Sequence, residues 1–194
     1  MKELLFIIPM KDPLRAKSRL ASVLPDAVRA RLAMALYRRM LRFLQAVQPD
    51  VDILVVSDTE ALQAALSSAM FLHQKSNGLN AAVSEGAAWA VAHGYRSICV
   101  LPADLADPSH DDLERLLALQ GGVVLAPAHD GGTNALLATP PDAIGFCFGR
   151  GSCVAHQQAA ERAGVTCTIV PLESLKYDID TSTDLARIKG VAWA

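Results

Sequence analysis

The stretch Leu4-Leu5-Phe6-Ile7-Ile8-Pro9-Met10-Lys11-Asp12-Pro13-Leu14-Arg15-Ala16-Lys17-Ser18-Arg19 joins an apolar run to a loop carrying four cations in nine residues, and no glycine precedes Gly78. A short apolar run closed by proline reads as a buried strand. The cations behind it read as a grip for a polyanion. Phosphate-binding turns of the P-loop and dinucleotide types need glycine so that backbone amides can approach the phosphates, and a glycine-free first third excludes both. A nucleotide held here would be held by side-chain cations.

Outward from this stretch, strand and helix alternate. Asp26 to Val47 reads as a long amphipathic helix with Asp26 as candidate cap, Asp52 to Ser57 as a strand, Glu60 to Ala69 as helical and Phe71 to Gln74 as a short strand. Asn80 to His93 reads as a helix stopped by Gly94, Ser97 to Leu101 as a strand, and Ser109 as the cap of a helix to Leu119. Strands follow at Val123 to Ala126, Ala135 to Ala138 and Thr166 to Val170, with helices at Ser152 to Ala163 and Ser182 to Lys189. Repeated βα units predict an α/β fold with a mainly parallel sheet and helices on both faces. Ligands of such sheets sit beyond the carboxyl ends of the strands, which directs attention to the loops after Pro9, Ser57, Leu101 and Ala126.

The chain has 194 residues, 52% apolar, 20% charged and 5% aromatic, which suits one domain over residues 1–194; no repeat or linker-like spacer divides it. Its longest apolar runs fall short of the roughly 20 residues of a membrane span, and the N-terminal run is too short for a signal-peptide core. A soluble, cytoplasmic protein is expected. Cys99, Cys147, Cys153 and Cys167 lack Cys-x-x-Cys spacing and the five histidines are scattered, so reduced thiols are expected and zinc is not.

The net charge of −2 hides an asymmetry. Residues 1–42 carry ten Lys/Arg against three Asp/Glu, and residues 43–194 carry eight against seventeen. The first part suits phosphate and the second suits cations such as Mg2+. Most of Arg29, Arg31, Arg38, Arg39 and Arg42 read as the wet face of a helix. Nucleic acid is not expected as a partner, since no aromatic residue interleaves the basic cluster.

The loops carry the chemistry. Asp104, in Pro102-Ala103-Asp104-Leu105, places a carboxylate at a strand end, as a Mg2+ ligand or a turn cap. Asp178 and Asp180 point to one side if the segment is extended, although Asp180 or Thr181 would also serve as an N-cap. Ser76-Asn77-Gly78-Leu79-Asn80 suits the reading of a purine edge, or an ordinary Asn-Gly turn. Asp130-Gly131-Gly132-Thr133-Asn134 suits a small ligand or a tight turn. In Phe148-Gly149-Arg150-Gly151-Ser152 the free amides at a helix start favour an anion, with Ser152 as plain N-cap the competing possibility.

These residues together resemble the 2-phospho-L-lactate guanylyltransferases of coenzyme F420 biosynthesis, the CofC/FbiD family. The resemblance rests on Pro9-Met10-Lys11 with Ala16 to Leu20, Gly78-Leu79-Asn80, Pro102 to Leu105, Gly131 to Leu136, Phe148 to Ser152 with His156, and Asp178 to Thr181 with Asp184-Leu185. It implies a single-domain, Rossmann-like nucleotidyltransferase fold of the GT-A and MobA kind, with GTP and a small phosphorylated carboxylic acid as substrates: 2-phospho-L-lactate, phosphoenolpyruvate or 3-phospho-D-glycerate. Lys11, Lys17 and Arg19 would meet the triphosphate, and Asn80 with Asn77, Gly78, Pro9, Ser57 and Pro102 would complete the nucleotide side. Asp104, Asp178 and Asp180 would hold Mg2+, with Lys11, Lys17, Arg19 and Asp104 catalytic. Thr133, Gly149 and Ser152 would bind the acceptor's carboxylate.

The family often has proline where this chain has Ala106 and Ser182, and an aromatic residue at Cys153; none of these is a proposed ligand. Cys153 and Arg150 flank the implied acceptor pocket, so the resemblance leaves the identity of the acid open. His156 lies four residues after Ser152 on one helix face, as an acceptor contact or a packed histidine. A homodimer is left open. Two other readings remain at this point, a molybdenum-cofactor or sugar-phosphate nucleotidyltransferase, which usually opens with a glycine-rich loop, and a non-catalytic nucleotide-binding protein.

Overall fold

Leu4 to Pro9 lies within β1 (Lys2–Pro9), an interior strand of a seven-stranded sheet in the computed structural model, which describes residues 2–65, 68–119 and 121–188. β1 is flanked by β2 (Asp52–Ser57) and β4 (Tyr95–Val100), both parallel to it, and β3 (Met70–His73) continues the sheet parallel to β2. Beyond β4 come β6 (Thr133–Thr139), β5 (Gly122–Pro127) and β7 (Cys167–Ile169), giving the order β3-β2-β1-β4-β6-β5-β7. Only the two pairings of β6 are antiparallel, so the expected mainly parallel sheet is present.

The Ala135 to Ala138 strand is the centre of β6. It reverses direction because Ala128 to Gly132 turn too tightly to hold a crossover helix: the Ala128 amide donates to the Gly132 carbonyl at 2.9 Å and Gly131, at φ +82°, donates back to Ala128 at 3.1 Å. The reversal brings Thr133, the first residue of β6, to the edge where the parallel strands end.

Side chains of β1 alternate between two helical layers, as the two-residue strand period requires. Phe6 and Ile8 face α1 (Asp26–Val47) and α3 (His110–Ala118), while Leu5 and Ile7 face α2 (Leu79–Ala92) and α4 (Ser152–Ala163); all four are fully buried. α1 lays Ala33, Tyr37, Met40, Leu41 and Leu44 on the sheet at three- and four-residue spacing. Leu32 and Leu36 of the same helix join Leu20, Ala106 and Ile179 in a separate small cluster. That cluster lies under the functional loops.

Three local expectations are corrected. Asp26 does not cap α1; Pro25 holds the cap position, its fixed φ suiting a helix entrance, and Asp26 is the first helical residue, accepting from Arg29 at 2.7 Å. The Glu60 to Ala69 helix is only a 3-10 segment at Glu60–Ala65; positions 66 and 67 lie outside the described residues, and Ser68 and Ala69 are not helical. The expected last helix shrinks to a 3-10 turn at Asp184–Arg187 because Ile188 is extended, and Lys189 lies outside the described residues. Ser109 caps α3 as expected, its hydroxyl accepting from the Asp112 amide. No helix among the described residues is long and apolar enough to cross a membrane.

α2 lies close to the sheet at Gly86, where an added Cβ would stand 3.1 Å from Ile7 Cγ2 and 3.2 Å from Val56 Cγ2. Gly86→Leu is therefore expected to force α2 off β1 and β2 and to cost about 1–3 kcal/mol, read as a lower midpoint in urea unfolding.

Candidate active site

The three carboxylates singled out in the sequence meet because two distant loops pair as a short antiparallel bridge. The Ala106 amide donates to the Tyr177 carbonyl at 2.8 Å and the Ile179 amide to the Asp104 carbonyl at 3.0 Å, setting Leu105 opposite Asp178. Ile179 points into the small cluster and is fully buried. Alternation along the extended segment then turns Asp178 and Asp180 the other way, toward Asp104. One carboxylate oxygen from each lies within 4.8 Å of the others. Burial, together with Asp104 and Asp180, pushes the Asp178 carboxyl above the usual carboxylate range. Three hard oxygen donors with mutually repelling charge are a donor set that a divalent cation fits.

The cationic loop lies across this triad. Lys17 adopts φ +56°, a left-handed conformation costing about 1 kcal/mol in a non-glycine residue. Its side chain is only 5% exposed, and its ammonium donates to Asp104 and, at 2.5 Å, to the Ile179 carbonyl, while standing 3.9 Å from Asp180. Arg19 reaches Asp180 at 2.5 Å and Arg15 reaches Asp58, after β2, at 2.5 Å. Lys11 and Arg150 also line the cavity, and neither has a hydrogen-bond or ion-pair partner among the described residues. The cavity these groups share measures about 1280 Å³, enough for a nucleotide and a small second substrate.

Arg29 and Arg39 hold the two sides of the site, a role the reading of their neighbours as a wet helix face misses. Arg29 is buried and donates to the Ala16 carbonyl at 3.0 Å, fixing the cationic loop. Arg39 donates to the carbonyls of Leu105 and Ala106, fixing the Asp104 loop. Arg31, Arg38 and Arg42 are exposed, as expected. The missed signal was the spacing Arg29, Leu32, Leu36, Arg39, which sets both arginines on an apolar stripe of the helix. Asp184 is a third overlooked support: its buried carboxylate accepts from the Asp180 and Thr181 amides at 3.2 and 2.7 Å. Neither Asp180 nor Thr181 caps the last turn; Thr183 occupies that position.

The other end of the cavity is rich in donors. Gly149 and Gly151 have φ +138° and +69°, and the amides of Gly149, Arg150 and Gly151, at the start of α4, donate to no acceptor among the described residues. Thr133 lines the same end. Asn134 beside it is 7% exposed, and its Nδ2 has no hydrogen-bond partner among the described residues. Ser152 is buried; Gly151 holds the cap position, and the Ser152 hydroxyl donates to Thr133 Oγ1 at 3.0 Å.

On the nucleotide side Pro9, Asn77, Gly78 and Pro102 line the cavity. Ser57 is fully buried, its hydroxyl accepting from the Thr59 amide. The Asn80 amide group grips the backbone of Phe148, accepting from its N–H at 2.6 Å and donating to its carbonyl at 3.2 Å. Asn80 thus ties the Gly78 loop to the donor-rich end.

The model of a family described as "Guanylyl transferase CofC like" matches residues 4–189. The chain belongs to this CofC-like family. It is 38% identical over 184 residues to a 3-phospho-D-glycerate guanylyltransferase of Colwellia psychrerythraea, covering 92% of this chain and 88% of that protein. A phosphoenolpyruvate guanylyltransferase of Rubrobacter xylanophilus is 37% identical, covering 94% and 92%. A 2-phospho-L-lactate guanylyltransferase of Halobacterium salinarum is 34% identical, covering 94% and 82%. Among solved structures, a nucleotide-diphospho-sugar transferase from Desulfovibrio desulfuricans G20 superposes with a TM-score of 0.79 at 22% identity, covering 95% of this chain and 85% of that one. A nucleotidyl transferase from Methanothermobacter superposes at 0.66 and 16% identity, covering 96% of each. The CofC-like chain is therefore an enzyme of the nucleotidyltransferase class with the expected fold.

Burial raises the Asp184 carboxyl, but hydrogen bonds from Thr181 and Asp180 outweigh it and hold the group below the ordinary carboxylate range. A carboxyl depressed on folding contributes stability above its unfolded pKa and loses that contribution as pH falls through the folded one. Asp184→Ala should lose about 1–3 kcal/mol at neutral pH, and the gap to the unaltered protein should narrow in acid, as read from urea midpoints across pH.

Proposed function

We propose that this CofC-like chain transfers GMP from GTP to the phosphate of a small phosphorylated carboxylic acid, with release of pyrophosphate, as a cytoplasmic step of coenzyme F420 biosynthesis. The supporting observation is one cavity holding an acidic triad and a cationic loop at one end and unpaired amides with Thr133 at the other. The three relatives named above act on three different acids, and all three acids carry both a phosphate and a carboxylate. That shared chemistry matches the two ends of the cavity.

Lys11, without a protein partner among the described residues, binds the triphosphate directly, and Lys17 and Arg19 exchange their aspartates for phosphate oxygens. Thr133 and the amides of Gly149 to Gly151 hold the acceptor's carboxylate at a helix N-terminus, with Asn134 as a further donor. Ser152 contributes through Thr133, on which its hydroxyl is spent. Asp104, Asp178 and Asp180 would hold Mg2+, which supplies positive charge to the reacting phosphates. An oxygen of the acceptor phosphate attacks the α-phosphorus in line, and the bond from that phosphorus to the β-bridging oxygen breaks. The attacking phosphate is already ionised near neutral pH, so no protein base is needed. The enzyme's work is positioning and charge neutralisation.

The deciding experiment assays GTP, ATP and CTP against the three phosphorylated acids and a sugar phosphate, with pyrophosphate release as readout. GTP-dependent release with at least one acid is expected; release only with another nucleotide or with a sugar phosphate sinks the proposal. Asp104→Asn should lower Mg2+-dependent turnover by more than about 100-fold while circular dichroism stays unchanged. Lys11→Ala should raise KM for GTP about 10-fold without lowering the thermal midpoint, because that ammonium supports no fold contact. Lys17→Ala, by contrast, should raise KM for GTP and also shift the midpoint of the nucleotide-free protein.

A further inference from the structure

We infer that His156 is a positioning residue that fixes the Thr133 hydroxyl as a hydrogen-bond donor toward the cavity, so that this hydroxyl meets the acceptor's carboxylate as a donor. The inference rests on the acceptor site proposed above. His156 is fully buried on α4, and its two ring nitrogens have different partners. Nε2 faces the Cys147 backbone amide at 3.0 Å. An amide can only donate, so Nε2 carries the lone pair. The ring has no carboxylate partner among the described residues; the Phe148 ring packs edge-on with centroids 4.7 Å apart, and burial lowers the His156 pKa to about 4. A neutral ring with Nε2 unprotonated must carry its hydrogen on Nδ1.

Nδ1 stands 3.1 Å from Thr133 Oγ1 and therefore donates to it. Ser152 donates to the same oxygen at 3.0 Å. A hydroxyl has two lone pairs and one hydrogen, and both lone pairs are now used. The Thr133 hydrogen is left to point elsewhere, and Thr133 lines the cavity. A hydroxyl that is free to rotate accepts as readily as it donates. Here the backbone of Cys147, read through His156, removes that freedom before substrate arrives, which lowers the ordering cost of binding an anion.

Two measurements test this. Nitrogen-15 NMR of ring-labelled protein should show His156 as the Nδ1–H tautomer throughout the neutral range; an Nε2–H tautomer or a charged ring there overturns the inference. Steady-state kinetics should show His156→Phe raising KM for the acceptor acid about 10-fold or more, with KM for GTP within about twofold. His156→Asn, which keeps an N–H near the place of Nδ1, should recover most of that loss. In a Thr133→Val background His156→Phe should add nothing further. Equal effects on both substrates, or an undiminished effect without the threonine hydroxyl, would mean that His156 acts only through packing. If no phosphorylated acid is guanylylated at all, the substrate proposal fails, while the ring tautomer still decides the His156 to Thr133 relation.

Discussion

The site depends on a two-bond backbone bridge between residues 104–106 and 177–179, anchored by the buried side chain of Ile179. Without that bridge, Asp104 would project from one loop and the Asp178-Asp180 pair from another, far away in sequence. With it, three carboxylates are forced within 4.8 Å of one another. Each such pair repels by roughly 3 kcal/mol at an effective dielectric constant near 20, before solvent screening. The fold tolerates this because apolar burial of Leu20, Leu32, Leu36, Ala106 and Ile179 holds the loops from beneath, and Arg39 holds Leu105 and Ala106 from the side.

Lys17 is the counterweight. Its left-handed backbone and nearly complete side-chain burial place one positive charge among the acids, and Arg19 adds a second at the rim. Cations proposed for phosphate and carboxylates proposed for metal neutralise each other here. A triphosphate and a divalent cation arriving together would offer each group a new partner of the right sign, so the charge balance of the site is kept through binding. Lys11 and Arg150 line the cavity without a hydrogen-bond or ion-pair partner among the described residues, which leaves both available to an anion.

Strand positions, the mainly parallel character of the sheet and the loops that line the cavity were legible in the chain because apolar periodicity and turn residues are local signals. Asp104, Lys17 and the Asp178-Ile179-Asp180 run could be singled out for the same reason. The helix ends were less legible. Asp26 looked like a cap, yet Pro25 sets the entrance of α1, and the segment after Ser182 makes a single 3-10 turn. Arg29 and Arg39 were read with their exposed neighbours because residue type alone says solvent, whereas their helical spacing with Leu32 and Leu36 says otherwise.

The amino-acid sequence by itself determined the alternation of strands and helices, the absence of a glycine-rich phosphate loop and the identity of the charged groups available for a nucleotide. These follow from local propensity and residue chemistry. Only the tertiary structure decided which acid meets which cation, that Ser152 and His156 both meet the Thr133 hydroxyl, and that Asn80 grips the Phe148 backbone. Those relations join residues up to 162 positions apart, as Lys17 and Ile179 are. They are set by packing across the sheet edge, and no local pattern encodes a distance of that kind.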